Sequence, residues 1–288
     1  MPELPEVEVV KKSLKKIIHD LVIKKIEIRN KYLRYKIDEK SMKKMIKSKV
    51  KSISRRSKYI FINLNNGYTI MFHLGMTGKI NIIDANKNKF KTSFYYKLSD
   101  NKPNHDHIII KFNKKITIIY NDVRKFGFIK IYQTDKILES SHLKKLGPEP
   151  LSREFNSIYF KKKIKKRKII LKDLLMNQNF LAGLGNIYVN EAIFLSKINP
   201  TVKSKNIPNK KINKLVLNIK KVLKKAIYEG GSSIKNFNNT SGKKGNFQHF
   251  FKVYGRQGKS CTRSNCIGTI RRIRISNRST FFCNICQK

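Results

Sequence analysis

All four cysteines of this 288-residue chain fall in its last 28 positions, as Cys261-x4-Cys266-x16-Cys283-x2-Cys286. Two close pairs separated by a hairpin's length of chain can supply four thiolates to one tetrahedral zinc ion. A segment of that size buries too little apolar surface to fold alone, so a metal would explain how it folds. A filled set of four ligands predicts one structural Zn2+ with no open catalytic position. A disulfide pair or free thiols are the alternative uses of these residues. Arg271, Arg272, Arg274 and Arg278 stand between the pairs. A hairpin carrying four guanidinium groups suits contact with phosphate.

The rest of the chain is strongly basic. It carries 65 Lys and Arg against 18 Asp and Glu, a formal net charge of +47. Part of that excess belongs to a composition rich in Lys, Asn and Ile, of the kind AT-rich coding produces. The remainder predicts a polyanionic partner. Nucleic acid leads over anionic membrane, because no amphipathic anchor or lipidation signal is present. No apolar run approaches the roughly 18–20 residues of a membrane span. The start MPELPEVE has three glutamates and no basic residue, unlike a secretory signal. The expectation is a cytoplasmic protein without a membrane segment.

Val9, Val10, Leu14, Ile17, Ile18 and Leu21 recur at helical spacing and predict a helix from about Pro5 to Leu21. Pro5 suits the first turn, and Glu6 and Glu8 suit the positive end of the helix. From Val22 to about Tyr132 the texture is β-rich. Runs occur at Tyr59–Leu64, Tyr68–Phe72, Lys79–Ile83, His107–Phe112, Ile116–Tyr120 and Phe128–Tyr132, with turns at Asn66-Gly67 and Asn113-Lys114. Short strands with tight turns predict a sandwich or barrel-like β domain. Gly147-Pro148-Glu149-Pro150 reads as a linker. Beyond it, Ile212, Leu215, Val216, Ile219, Val222, Leu223 and Ile227 form one apolar helical face, lysines fill most of the rest, and Gly230-Gly231 stops the helix. The polar stretch Lys235–Asn246 reads as a loop, and no internal repeat is evident.

Three further motifs carry possible chemistry. Leu181-Ala-Gly-Leu-Gly-Asn-Ile-Tyr188 puts two glycines and Asn186 ahead of an apolar helix, where backbone N–H groups can hold a phosphate. At the N-terminus, removal of Met1 would leave Pro2 a secondary amine, able to attack an aldehyde carbon and form an iminium, with Glu3 beside it to move protons. The plain alternative is a helix lead-in. His73-Leu74-Gly75-Met76 and Arg124-Lys125-Phe126-Gly127 place Met and Phe on loop tips near Arg, where they are either core residues or wedges between bases. Lys58 follows Arg55-Arg56 ahead of a strand and is either a buried amine or a surface charge.

Taken in order, PELPEVE, Lys58, HLGM, Arg124-x-Phe-Gly, LGPEP, GLGNIY and the terminal Arg278-Ser-Thr-Phe-Phe-Cys-Asn-Ile-Cys-Gln287 resemble bacterial formamidopyrimidine-DNA glycosylase over essentially the whole chain. The resemblance implies an α+β protein. It would have a leading helix and β-sandwich (1–135), a linker (136–152), a helix–two-turn–helix domain (153–250) and a zinc-finger β-hairpin (251–288). It implies a monomer, working in the bacterial cytoplasm on the nucleoid, whose partner is double-stranded DNA containing oxidised bases or abasic sites. Such an enzyme excises oxidised purines, 8-oxoguanine and formamidopyrimidines, and then cuts the strand by β,δ-elimination. Carried over by motif, Pro2 is the Schiff-base nucleophile and Glu3 the acid/base. Lys58 and Arg278 serve the β- and δ-eliminations as proton donors. His73, His105, Arg124 and Arg167 contact DNA, and Lys172 and Asn186 grip phosphate. Met76, Arg124 and Phe126 fill the gap left by the extruded base. Cys261, Cys266, Cys283 and Cys286 hold the zinc.

Three positions depart from the family's pattern: the x4 spacing of the first cysteine pair, Lys125 where a second Arg is usual, and the loop Asn236–Phe247 that covers the lesion. The competing readings are an endonuclease VIII-like glycosylase for oxidised pyrimidines, a non-catalytic zinc-finger DNA-binding protein and an RNA-binding zinc ribbon. Leu4, Met76 and Phe126 favour the purine enzyme over the first. The Pro2-Glu3 pair with Lys58 argues against the second, and the N-terminus is unexplained by the third.

Overall fold

The computed structural model describes residues 2–93, 102–165, 168–232 and 247–288. Met1, Arg167 and residues 235–246, all singled out above, lie outside the described residues. By compactness the chain divides into two units, Met1–Lys144 with Glu229–Gly245, and Lys145–Tyr228 with Asn246–Lys288. Among the described residues no helix is long and apolar enough to cross a membrane.

The first unit opens with α1 (Leu4–Ile18). Val7, Val10, Leu14 and Ile18 line its buried face, Pro5 occupies the first turn, and Lys15 and Lys16 sit in the last turn, where they complement the helix dipole. The helix ends three residues before the expected Leu21. His19 is already extended and Asp20 is left-handed, which turns Leu21 back into the core.

Among the described residues nine strands follow, in two antiparallel sheets. Strands β1 (Ile23–Ile28), β5 (Lys79–Ile83), β6 (Lys89–Lys91), β7 (Asp106–Phe112) and β8 (Thr117–Asn121) form a sheet in the order β1-β7-β8-β5-β6. Strands β2 (Val50–Arg56), β3 (Tyr59–Leu64), β4 (Tyr68–His73) and β9 (Phe128–Gln133) form another in the order β2-β3-β4-β9. Inward residues of both sheets, among them Ile60, Ile62, Ile70, Phe72, Ile80, Ile108, Ile110 and Ile118, share one core with the apolar face of α1. This is the expected β-sandwich with its leading helix. The hairpin at Asn66-Gly67 joins β3 to β4 in the register Ile60↔Phe72 and Ile62↔Ile70. The three strands absent from the sequence reading, β1, β2 and β6, are all edge strands. Each carries lysine or arginine, which protects an open edge and erases the apolar signal.

The second unit is helical, ending in a hairpin. Its helices are α3 (Ser157–Ile164), α4 (Leu171–Met176), α5 (Asn186–Leu195) and α6 (Asn209–Tyr228); a five-residue helix, α2 (Glu39–Lys43), belongs to the first unit. Residues Ile187–Phe194 of α5 are all buried, Asn190 and Glu191 among them. The basic helix α6 buries Ile212, Leu215, Val216, Ile219, Val222 and Leu223 as expected. Gln178 knits the two turns ahead of α5. Its Oε1 accepts from the Gly183 N–H at 2.7 Å, and its Nε2 donates to the Leu184 carbonyl at 2.9 Å. The Gly147-Pro148 segment docks on the same turns, with Gly147 N–H donating to the Gln178 carbonyl and Ala182 N–H to the Pro148 carbonyl. The chain closes with β10 (Ile270–Ile275) and β11 (Arg278–Cys283), an antiparallel pair.

Candidate active site and nucleic-acid interface

Pro2 and Glu3 are buried immediately ahead of α1. Glu3 is the N-cap residue, and it exchanges reciprocal hydrogen bonds with Glu6 in a capping box. The Glu3 N–H donates to Glu6 Oε2 at 2.8 Å. The other oxygen, Glu6 Oε1, accepts from Ser232 N at 2.8 Å and Ser232 Oγ at 3.0 Å. Gly231 has φ +85°, and a Cβ there would stand 3.0 Å from Glu6 Oε1. One buried carboxylate therefore ties the backbone that presents Pro2 to the chain just past α6. The Glu3-x-x-Glu6 spacing is the only sequence signal of this clamp. The sequence reading used Gly230-Gly231 merely as a helix stop.

Lys58 lies in the tight turn between β2 and β3, after Ser57 in the left-handed region at φ 54°. That turn is bound to α1: Arg55 Nε donates to Glu8 Oε2 at 2.8 Å, and Arg55 Nη1 to the Ser57 carbonyl at 2.8 Å. The Glu8–Arg55 pair is nearly buried, and Lys11 adds a second cation to Glu8 at 2.6 Å. Burial alone would raise the Glu8 carboxyl, and its hydrogen bonds with Lys11 and Arg55 outweigh that and hold it below the usual range.

His73, at the end of β4, stacks on Phe128 with ring centroids 5.1 Å apart and touches Tyr59. Burial pushes its pKa down to about 4, helped by the positive charges of Lys58 and Arg34, so the ring is neutral at pH 7. Its Nδ1 accepts from the Gly75 N–H at 3.2 Å, which leaves Nε2 as the protonated, donating nitrogen. His105 sits half-buried at the end of a short 3-10 turn (Pro103–His105), where its carbonyl accepts from the Asp122 N–H.

Met76, 48 residues before Arg124, meets Arg124 and Phe126 in one exposed cluster. Met76 is 41% and Phe126 44% exposed. Arg124 bridges them: its guanidinium lies 4.4 Å from the Phe126 ring centroid, and Nη1 lies 3.4 Å from Met76 Sδ. The two loops touch through backbone at Gly75, φ +60°, where a Cβ would fall 2.4 Å from Gly127 N. Lys125 adopts φ 54°.

In the second unit, Lys172 and Asn186 converge on one backbone atom. Lys172 Nζ donates to the Ser279 carbonyl at 3.0 Å and to Thr280 Oγ1 at 2.5 Å, and Asn186 Nδ2 donates to the same Ser279 carbonyl at 2.9 Å. Both therefore secure the start of β11, whose first residue is the exposed Arg278. The Ser276-Asn277 turn before it has both residues left-handed, as a two-residue hairpin requires. Lys172 is 1% exposed. Burial, reinforced by the Arg278 charge and opposed by Asp173, lowers its pKa to about 8. Glu191, also unmarked in the sequence reading, accepts from the backbone N–H groups of Lys252, Val253 and Tyr254 and anchors the lead into the hairpin.

The four cysteine Sγ atoms lie within 4.8 Å of one another. Cys261–Cys286 are 3.8 Å apart and Cys266–Cys283 3.7 Å. Those separations are far beyond a disulfide bond of about 2 Å. They match the edge, about 3.8 Å, of a tetrahedron with metal–sulfur bonds of about 2.3 Å. The x4 spacing is thus compatible with closure, and the four thiols could hold one metal ion. Gln287 braces the knuckle, accepting from Cys283 N–H and donating to the Ile198 carbonyl, each at 2.8 Å.

Two family models match this chain: the formamidopyrimidine-DNA glycosylase N-terminal domain over residues 1–129 and the formamidopyrimidine-DNA glycosylase H2TH domain over residues 146–238. The formamidopyrimidine-DNA glycosylase of Rickettsia conorii is 39% identical over 287 residues, covering 100% of this chain and 99% of that protein. Among solved structures, Lactococcus lactis Fpg in complex with abasic-site-containing DNA superposes with a TM-score of 0.85 at 35% identity. A variant of the same protein bound to Fapy-dG-containing DNA gives 0.85 at 34% identity. Both comparisons cover 100% of each chain.

Proposed function

The chain belongs to the formamidopyrimidine-DNA glycosylase family, and from that premise we propose that Pro2 is its nucleophile and that it excises oxidised purines and then cleaves the strand. It is a DNA glycosylase of base excision repair, and its partner is damaged DNA.

A base inside a duplex shields its own sugar, so the nucleotide must leave the stack, at an expense of a few kcal/mol. Met76, Arg124 and Phe126 fill the space it vacates. His73, as a neutral Nε2–H donor, together with His105 and Arg167 contacts the DNA, and Lys172, Asn186 and Arg278 grip phosphates, which position the duplex without reading sequence. With Met1 removed, the Pro2 nitrogen attacks C1′ as the glycosidic bond breaks; the base departs with the bonding pair and takes up a proton. The C1′–O4′ bond then opens, O4′ receives a proton from Glu3, and an iminium joins C1′ to the proline nitrogen. That cation acidifies C2′–H. Loss of the proton and of the 3′ phosphate is β-elimination, served by Lys58; loss of the 5′ phosphate follows as δ-elimination, served by Arg278. Water hydrolyses the remaining imine and returns the free amine.

We further assign one structural zinc ion to Cys261, Cys266, Cys283 and Cys286. Bound there, zinc would cross-link the ends of the hairpin that carries Arg278. The enzyme works as a monomer on the nucleoid, in the bacterial cytoplasm.

The observation that carries this reading is the clamp at the N-terminus. A buried carboxylate fixes the residue after Pro2, more anchoring than a helix lead-in needs. The test is borohydride trapping on duplexes containing 8-oxoguanine or an abasic site. Wild-type protein becomes covalently linked to DNA, whereas Pro2→Gly, or protein retaining Met1, loses trapping with DNA binding largely intact. Normal trapping by Met1-retaining protein would move the nucleophile to a lysine, Lys58 first.

A further inference from the structure

Asp122 is wholly buried. It follows β8 and opens the loop that carries Arg124 and Phe126. Its Oδ1 accepts from the Thr77 hydroxyl at 2.5 Å and from the Arg124 N–H at 3.3 Å. Its Oδ2 accepts from the Gly127 N–H at 2.8 Å and the Tyr120 hydroxyl at 3.2 Å. Thr77 Oγ1 in turn accepts from the Arg124 N–H at 3.1 Å. The Asp122 main chain is equally engaged: its N–H donates to the His105 carbonyl at 3.1 Å, its carbonyl accepts from the Lys125 N–H at 3.3 Å, and His107 Nε2 meets that carbonyl at 2.8 Å.

These bonds fall on particular neighbours. Thr77 follows Met76, Gly127 follows Phe126, and Arg124 is held at its own backbone. One carboxylate thus grips the main chain or next residue of each of the three clustered side chains. Charge-assisted hydrogen bonds in a buried site are short and directional, and a functional constellation keeps its geometry only when supporting groups lock it. Met76, Arg124 and Phe126 are themselves exposed, so their placement depends on how their main chain is held. We propose that Asp122 is the positioning residue that keeps Met76, Arg124 and Phe126 in one rigid wedge, and so sets the efficiency of base extrusion. This rests on reading those three side chains as the wedge.

The test compares two reactions of the full-length enzyme. Single-turnover excision of 8-oxoguanine from a duplex requires a base to be displaced. Borohydride trapping on a preformed abasic site does not. Asp122→Asn keeps the shape but turns an NH2 group toward at least one donor. It should slow excision about tenfold, the loss expected of one charge-assisted hydrogen bond, and leave abasic-site trapping near wild type. Thr77→Val should shift the ratio of the two rates in the same direction by about threefold. Thr77→Ser, which keeps the hydroxyl, should restore it. If Asp122→Asn fails to fold, the Thr77 pair carries the test. Equal loss of both reactions in Asp122→Asn and Thr77→Val would reduce Asp122 to a folding role and overturn the proposal. So would unchanged excision in these variants while Met76→Ala and Phe126→Ala are impaired, a result that leaves the wedge itself standing. Unchanged excision in Met76→Ala and Phe126→Ala would remove the wedge, and the proposal with it.

Discussion

Replacing Glu6 with glutamine exchanges one oxygen for NH2 and removes one charge, with almost no change of shape. In the native protein, Oε2 receives the Glu3 N–H, and Oε1 receives both the Ser232 N–H and its hydroxyl. The single amide oxygen can face Glu3 or Ser232, but not both. The Ser232 hydroxyl can rotate to accept, yet one backbone N–H must point at the NH2 group. A buried donor left without an acceptor costs about 1–3 kcal/mol. The surviving bonds fall from charge-assisted to neutral, about 1 kcal/mol more. The first unit should therefore lose on the order of 2–4 kcal/mol, or roughly 5–15 °C in its melting midpoint. The catalytic consequence is separate. Glu3 directly follows Pro2, so a loosened cap displaces the attacking nitrogen, and misplacement of about 1 Å can cost roughly a hundredfold in rate. Calorimetry follows the first loss and single-turnover borohydride trapping the second. Ser232→Ala, which removes only the hydroxyl, should cost about 1 kcal/mol and slow trapping less. A Glu6→Gln protein that melts within about 1 °C of wild type and traps at the wild-type rate would refute the argument that this carboxylate presents Pro2.

Elemental analysis should find one zinc per chain, and Cys261→Ser or Cys283→Ser should lose it and weaken DNA binding while the first unit still folds; active protein without metal would reject the assignment. Lys172 should impose two opposite pH dependences. The unfolded chain holds the lysine proton to near 10.5 and the folded one only to about 8, so between those values the unfolded state binds more protons and this group's contribution to stability rises with pH. Under the proposed phosphate role, DNA affinity should instead fall as pH passes 8 and the Lys172 charge is lost; Lys172→Met should flatten both profiles. Lys172→Met and Asn186→Ala should weaken binding to damaged and undamaged duplex alike and with reduced salt dependence for the lysine, whereas Met76→Ala and Phe126→Ala should mainly reduce lesion excision, as measured by filter binding against single-turnover cleavage.

The parts of this protein written in local chemistry were legible from residues alone. Central strands such as Tyr59–Leu64 and Lys79–Ile83 run as expected, because their buried Ile60, Ile62, Ile80 and Ile82 give each a strong apolar, β-branched signal. The face of α6 and the cysteine cluster follow equally from period and spacing. Motif order made the family legible as well. What sequence left open was decided by distance in space. Met76 and Phe126 each had a core and a wedge reading; folding leaves both exposed and places them with Arg124. Lys172 and Asn186 were marked as phosphate residues, but folding turns both onto the Ser279 carbonyl, so that they also hold the strand bearing Arg278. Asp122 and Glu191 carried no distinguishing mark, and Glu6 read only as an acidic residue at a helix start. Each is a carboxylate buried where several donors converge, from segments more than 40 residues apart in the cases of Asp122 with Thr77, Glu191 with Lys252 and Glu6 with Ser232. A buried charge is tolerable only where the fold supplies those donors. Their importance is a property of the assembled tertiary structure, and no window of sequence contains it.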